Sequence, residues 1–132
     1  MEQNKRVLIY NAIDKSEKAI LVAISNFDNG YYSACQNRLY YAVFYVVSAL
    51  AYKDGFITSK HAQLMGWFNR EYIYKNKIFD EKLFRIYKEV FTDRQKSDYD
   101  FMYEPLPEDI EKSIDETKFF VKQVKDYIIQ AL

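Results

Sequence analysis

Apolar residues at helical spacing over long stretches, only three glycines and two prolines in 132 residues, and one extended uncharged segment indicate an all-α protein. The expected architecture is an up-and-down helical bundle of about five helices, formed by residues 1–132 as one domain. Half of the residues are apolar and nearly a fifth are aromatic, which is enough for a core without disulfides or a structural metal.

The first helix is expected from about Arg6 to Phe27, with Ile9, Ile13, Ile20, Ala23, Ile24 and Phe27 on one side and Lys15, Glu17 and Lys18 on the other. Asp28-Asn29-Gly30 ends it, because Asn and Gly accept the left-handed backbone of a helix C-terminus. The second helix then turns back antiparallel and runs to Lys53-Asp54-Gly55. Between Asp28 and Lys53 its only charged residue is Arg38, so it has no fully polar face and belongs at the centre of the bundle. Leu39, Val43, Val46 and Leu50 form one stripe; Arg38, Tyr41, Ala42, Tyr45, Ala49 and Tyr52 form another. Thr58 is the expected N-cap of a third helix, with Ile57 as a hydrophobic staple and His61, Leu64, Met65, Phe68 and Tyr72 along one face. Asp80 caps a fourth, whose inward stripe Leu83, Tyr87, Val90 and Phe91 continues into Arg94 and Asp98. After Glu104-Pro105-Leu106-Pro107-Glu108-Asp109, a stop followed by a new start, the last helix faces inward with Ile110, Ile114, Thr117, Val121, Val124, Ile128 and Leu132.

The single Cys35, expected as a small buried residue, excludes an internal disulfide, and one histidine leaves no Cys/His cluster, so neither metal nor cofactor is expected. The polar N-terminus has no signal-peptide pattern. The fourteen-residue run Leu39 to Tyr52 is too short to span a bilayer, so a soluble, cytoplasmic protein is expected. Net charge is zero but unevenly spread: residues 60–77 are net basic, and residues 93–111 carry seven acids against Arg94 and Lys96.

Three polar features interrupt this apolar pattern. Arg38 sits in the uncharged helix, and a buried guanidinium requires a carboxylate, carbonyl or phosphate partner. His61 lies on an apolar face. Arg94 and Asp98 are spaced for an ion pair that either pins the following loop or holds the arginine for a phosphate. Lys60, Trp67, Phe68, Arg70, Tyr72, Tyr74, Lys75 and Lys77 place aromatics beside cations, as single-strand binders do, although aromatics at helical spacing are also ordinary core. Thirteen tyrosines exceed what a core needs and point to a dimer seam or partner surface.

The pattern Asn-Arg-x-Tyr-Tyr-Ala-x-Phe at residues 37–44, Ser-Lys-His at 59–61, the Phe68 region and Arg-x-x-x-Asp-Tyr at 94–99 together resemble a HEPN-domain protein over nearly the whole chain. The resemblance implies a small helical bundle, commonly a homodimer, often paired with a minimal nucleotidyltransferase in a toxin–antitoxin system. Many such proteins are metal-independent endoribonucleases in which an Arg and a His, with four to six residues between them, meet their dimer mates. Here the positions at that distance from Arg94 are Tyr99, Asp100 and Phe101, so the linear pair is missing, and a phenol is a poor base near neutral pH. The missing histidine and the zero net charge favour a module that acts with a partner protein, as the resemblance implies, and binds nucleotide or RNA, with Arg38, Tyr41, Arg94 and Tyr99 as the candidate ligand residues. The alternatives are a divergent ribonuclease using His61, Arg94 and Asp98 across a dimer cleft, and a purely structural bundle. Modification of Tyr99 or Tyr103 by a partner transferase is a further implication of the resemblance.

Overall fold

The computed structural model describes residues 2–132 and contains five α-helices: α1 (Gln3–Asp28), α2 (Tyr32–Asp54), α3 (His61–Phe68), α4 (Glu81–Tyr99) and α5 (Pro107–Ala131). The chain leaves α3 without a break into a wider π-helical turn, Asn69–Lys75. Among the described residues there is no strand, and no helix is long and apolar enough to cross a membrane.

Helix α2 packs against α1, α3, α4 and α5. Its stripe Leu39, Val43, Val46 and Leu50 is almost wholly buried, and so are Tyr40, Ala42, Val47 and Ala49. Complete burial of each large aliphatic side chain is worth about 1.5–3 kcal/mol, which gives the central helix more driving force than any surface pair could add. The two turns that bracket α2 need glycine: Gly30 and Gly55 sit at φ +78° and +75°, where a Cβ is strained. Asp80 caps α4 by accepting from Lys82 N at 2.8 Å, and Pro107 opens α5 with Glu108 and Asp109 in its first turn.

Two expectations at the α2–α3 connection are corrected. Helix α3 begins at His61, so Thr58 does not cap it; its hydroxyl accepts from Lys60 N at 3.1 Å and donates to Gln63 at 2.8 Å, closing a local turn. Ile57 is 90% exposed and staples nothing. The hydrophobic anchor here is Phe56, stacked face to face on Trp67 with ring centroids 5.0 Å apart and 8° between planes.

The aromatic and basic stretch of residues 60–77 also divides. Trp67, Phe68 and Tyr72 are core, with Phe68 against Tyr72, Phe79, Tyr87 and Phe120, and the Tyr72 hydroxyl donates to Asp54. Only Tyr74 of its aromatics stands out in solvent beside Lys75 and Lys77. At the opposite end of the bundle, buried Gln36 of α2 accepts from Ser97 Oγ of α4 and donates to Tyr103 Oη at 3.1 Å, tying the α4–α5 loop to α2. Cys35 is buried, and burial pushes its thiol up to about 12.

Candidate functional site

Helix α4 persists through Asp98, and a short connection, residues 55–60, joins α2 to α3, so residues far apart in sequence meet along one side of α2. Their meeting point is Tyr40. Its ring has no exposed surface, its hydroxyl lies 2.9 Å from His61 Nδ1, and the Arg94 guanidinium carbon sits 5.4 Å from its ring centre. A phenol buried with one hydrogen-bond partner must use it, because an orphaned buried hydroxyl costs about 1–3 kcal/mol.

His61 is half-buried among rings: Phe44 at 4.2 Å, Tyr40 at 5.7 Å and Tyr41 at 6.0 Å between centroids. Burial, and then the charge of Arg94, lower its pKa from the ordinary 6.5, so the imidazole is neutral near pH 7. Burial likewise drives the Tyr40 phenol far up, against a smaller opposing pull from Arg94, so Tyr40 keeps its proton.

Arg94 Nε lies 2.9 Å from Asp98 Oδ2, one helical turn along α4. Nevertheless Nε has no hydrogen-bond partner: the N–H direction misses the carboxylate, leaving a close ion pair without a directed bond. Nε itself is buried, but about a quarter of each side chain is exposed, so solvent screens the pair and it contributes little. The Arg94 guanidinium also lies 5.5 Å from the Tyr41 ring, and Arg38 covers the same ring at 4.9 Å.

Arg38 differs from its expected environment. It is half-buried, both of its hydrogen bonds go to Asn37 Oδ1 (3.1 and 2.9 Å), and among the described residues no carboxylate lies within ion-pair distance. Of the expected partners, carboxylate, carbonyl or phosphate, no carboxylate is paired with it; the guanidinium is spread over Tyr41 and opens onto a shallow cleft with Asn26, Ser33, Ala34, Asn37 and Asp98. The cluster thus contains two guanidiniums, one carboxylate and one neutral imidazole, a net positive site with its polar groups on α2, α3 and α4.

Of the residues singled out from the sequence, the structure brings Arg38, Tyr41, His61, Arg94 and Asp98 together. Tyr99 lies at the end of α4 with 73% of its surface exposed and makes no hydrogen bond or ring contact with the cluster. Tyr40, which links the two halves, was missed in favour of Tyr41; the available signal was a phenol in the buried stripe Gln36, Tyr40, Val43 and Val47.

Residues 10–127 match the family model described as the HEPN domain. The chain is 29% identical over 129 residues to "Putative toxin MJ0142" of Methanocaldococcus jannaschii, covering 98% of this chain and 87% of that protein. It is 34% identical over 92 residues to "UPF0332 protein" of Thermotoga maritima, 70% of this chain and 69% of that one. With its five-helix fold and a family match over most of its length, this chain belongs to the HEPN domain family.

Proposed function

We propose that this chain is the HEPN component of a toxin–antitoxin type pair, and that its working site is the cluster of Arg38, Tyr40, Tyr41, His61 and Arg94. The site takes a phosphate-bearing ligand, a nucleotide or RNA, and the chain works as a homodimer with a nucleotidyltransferase-like partner. The observation that carries the site is the convergence of His61 and Arg94, thirty-three residues apart, on one buried phenol. The toxin name of the archaeal relative supports the system type. Net positive charge and an arginine whose carboxylate is off-axis fit a ligand that brings its own oxyanion.

Anisotropy of a labelled single-stranded RNA oligomer and of a labelled nucleotide tests this. Removing one charge-assisted donor should weaken binding about tenfold or more, so Arg94→Ala and His61→Ala are expected to lose affinity while circular dichroism stays unchanged. Equal affinity in both variants overturns the site assignment.

A second reading, metal-independent RNA cleavage, is favoured by the same convergence, since an Arg and a His lie together without the linear motif. In it Arg94 steadies the scissile phosphate and His61 assists at the reacting oxygens. Cleavage of RNA in EDTA that vanishes in both folded variants supports it; intact RNA at high protein concentration refutes it for the isolated chain.

A further inference from the structure

We infer that Tyr40 is a positioning residue that fixes His61 as a neutral Nε2–H donor, making the His61–Arg94 pair an oxyanion-binding device rather than a general base with its guanidinium. This inference rests on the phosphate-ligand reading of the site and says how that site meets its ligand.

The two atoms 2.9 Å apart, Tyr40 Oη and His61 Nδ1, share one proton between them, and either can donate it. If Nδ1 donates, the Tyr40 hydroxyl hydrogen has nowhere to go: the residue has no exposed surface, and His61 is the one partner of its hydroxyl. If the phenol donates, both groups are satisfied. Nδ1 is then occupied as an acceptor, and a neutral ring must carry its hydrogen on Nε2. The ring is held in that pose by Phe44 at 4.2 Å and by Tyr40 and Tyr41.

The charged and titratable groups that face His61 agree. From α4 comes Arg94, a cation that opposes an imidazolium, and from α2 come the neutral phenols Tyr40 and Tyr41. Asp98, the carboxylate of the cluster, is paired to Arg94 and forms no ion pair with His61. A neutral imidazole with hydrogen on Nε2 has no lone pair left for proton abstraction, because Nδ1 is taken by Tyr40. What it can do is donate one uncharged hydrogen bond to a phosphoryl oxygen whose charge Arg94 offsets.

His61 is the chain's one histidine, so its ring nitrogens are identified in long-range proton–nitrogen correlation spectra of the full 15N-labelled protein without assignment. At a pH above the His61 titration, the wild type is expected to show a single tautomer, protonated at Nε2 and accepting at Nδ1. Tyr40→Phe keeps the ring under Arg94 but removes the hydroxyl, and should shift the population toward Nδ1–H. Added inorganic phosphate should move the His61 Nε2–H signal in the wild type and not in Arg94→Ala. An Nδ1–H tautomer in the wild type overturns the inference even if Tyr40→Phe fails to fold. An unchanged tautomer in folded Tyr40→Phe overturns the role of Tyr40, and His61 signals indifferent to phosphate overturn the oxyanion role. A protein with the Nε2–H tautomer and a phosphate response that binds neither RNA nor nucleotide sinks the proposed function alone. One that binds RNA with the Nδ1–H tautomer sinks this inference alone.

Discussion

Protonating His61 in the folded chain places an imidazolium where burial strips it of water and near the Arg94 guanidinium, whereas in the unfolded chain the same proton binds in water. The folded pKa is therefore the lower one. The unfolded state binds more protons between that value and about 6.5, so this contribution to stability is complete above the unfolded value and lost as pH falls toward the folded one. Arg94→Leu removes the second cause of the depression, and the His61 titration followed by NMR should then move upward; a midpoint that stays or falls contradicts the geometry. The individual site residues were largely visible beforehand, since Arg38, His61 and Arg94 each break an apolar pattern. Their partners were not. Hydrogen-bond partners depend on how helices rotate against one another, and helical spacing says nothing of which phenol on α2, Tyr40 or Tyr41, points at an imidazole on another element.

The helices themselves follow from local chemistry, and each boundary can be tested separately. Asp80→Ala removes the side-chain acceptor for Lys82 N and should cost about 1 kcal/mol in urea unfolding. Ile57→Ser, at a site with almost no contacts to lose, should stay within about 0.5 kcal/mol of wild type. The reverse ranking contradicts the observed ends of α3 and α4. The difference between these two positions also explains what could be anticipated: apolar periodicity located all five helices, and Gly30, Gly55, Asp80 and Pro107 marked boundaries by backbone or capping chemistry. Residues 56–60 carry no periodicity, so only a capping motif points to Thr58 and Ile57, while the packing of Phe56 on Trp67 decides where the connection lies. Likewise α3 loosens into a π-helical turn after Phe68, in a stretch where Trp67, Phe68, Tyr72 and Ile73 all reach the core and an ordinary helix has too narrow a face for them.

At the scale of the whole molecule the stability is concentrated in one core, while the most exposed aromatic side chain lies in the α4–α5 loop. Phe68, wholly buried against Tyr87 and Phe120, should cost about 3–5 kcal/mol as Phe68→Ala, a large part of the 5–15 kcal/mol typical of a domain. Phe101, 99% exposed in the α4–α5 loop, should leave the melting temperature unchanged as Phe101→Ser. Comparable melting shifts in the two variants would mean that the loop packs on the bundle in solution. The indole of Trp67, stacked on Phe56 and beside Tyr72, is the chain's one tryptophan. Its emission therefore monitors the docking of α3 and the α2–α3 connection, while far-ultraviolet ellipticity is dominated by the four long helices. If the segment that carries His61 detaches before the rest unfolds, the fluorescence reddens at lower denaturant than the ellipticity falls; if the bundle is one cooperative unit, the two curves coincide.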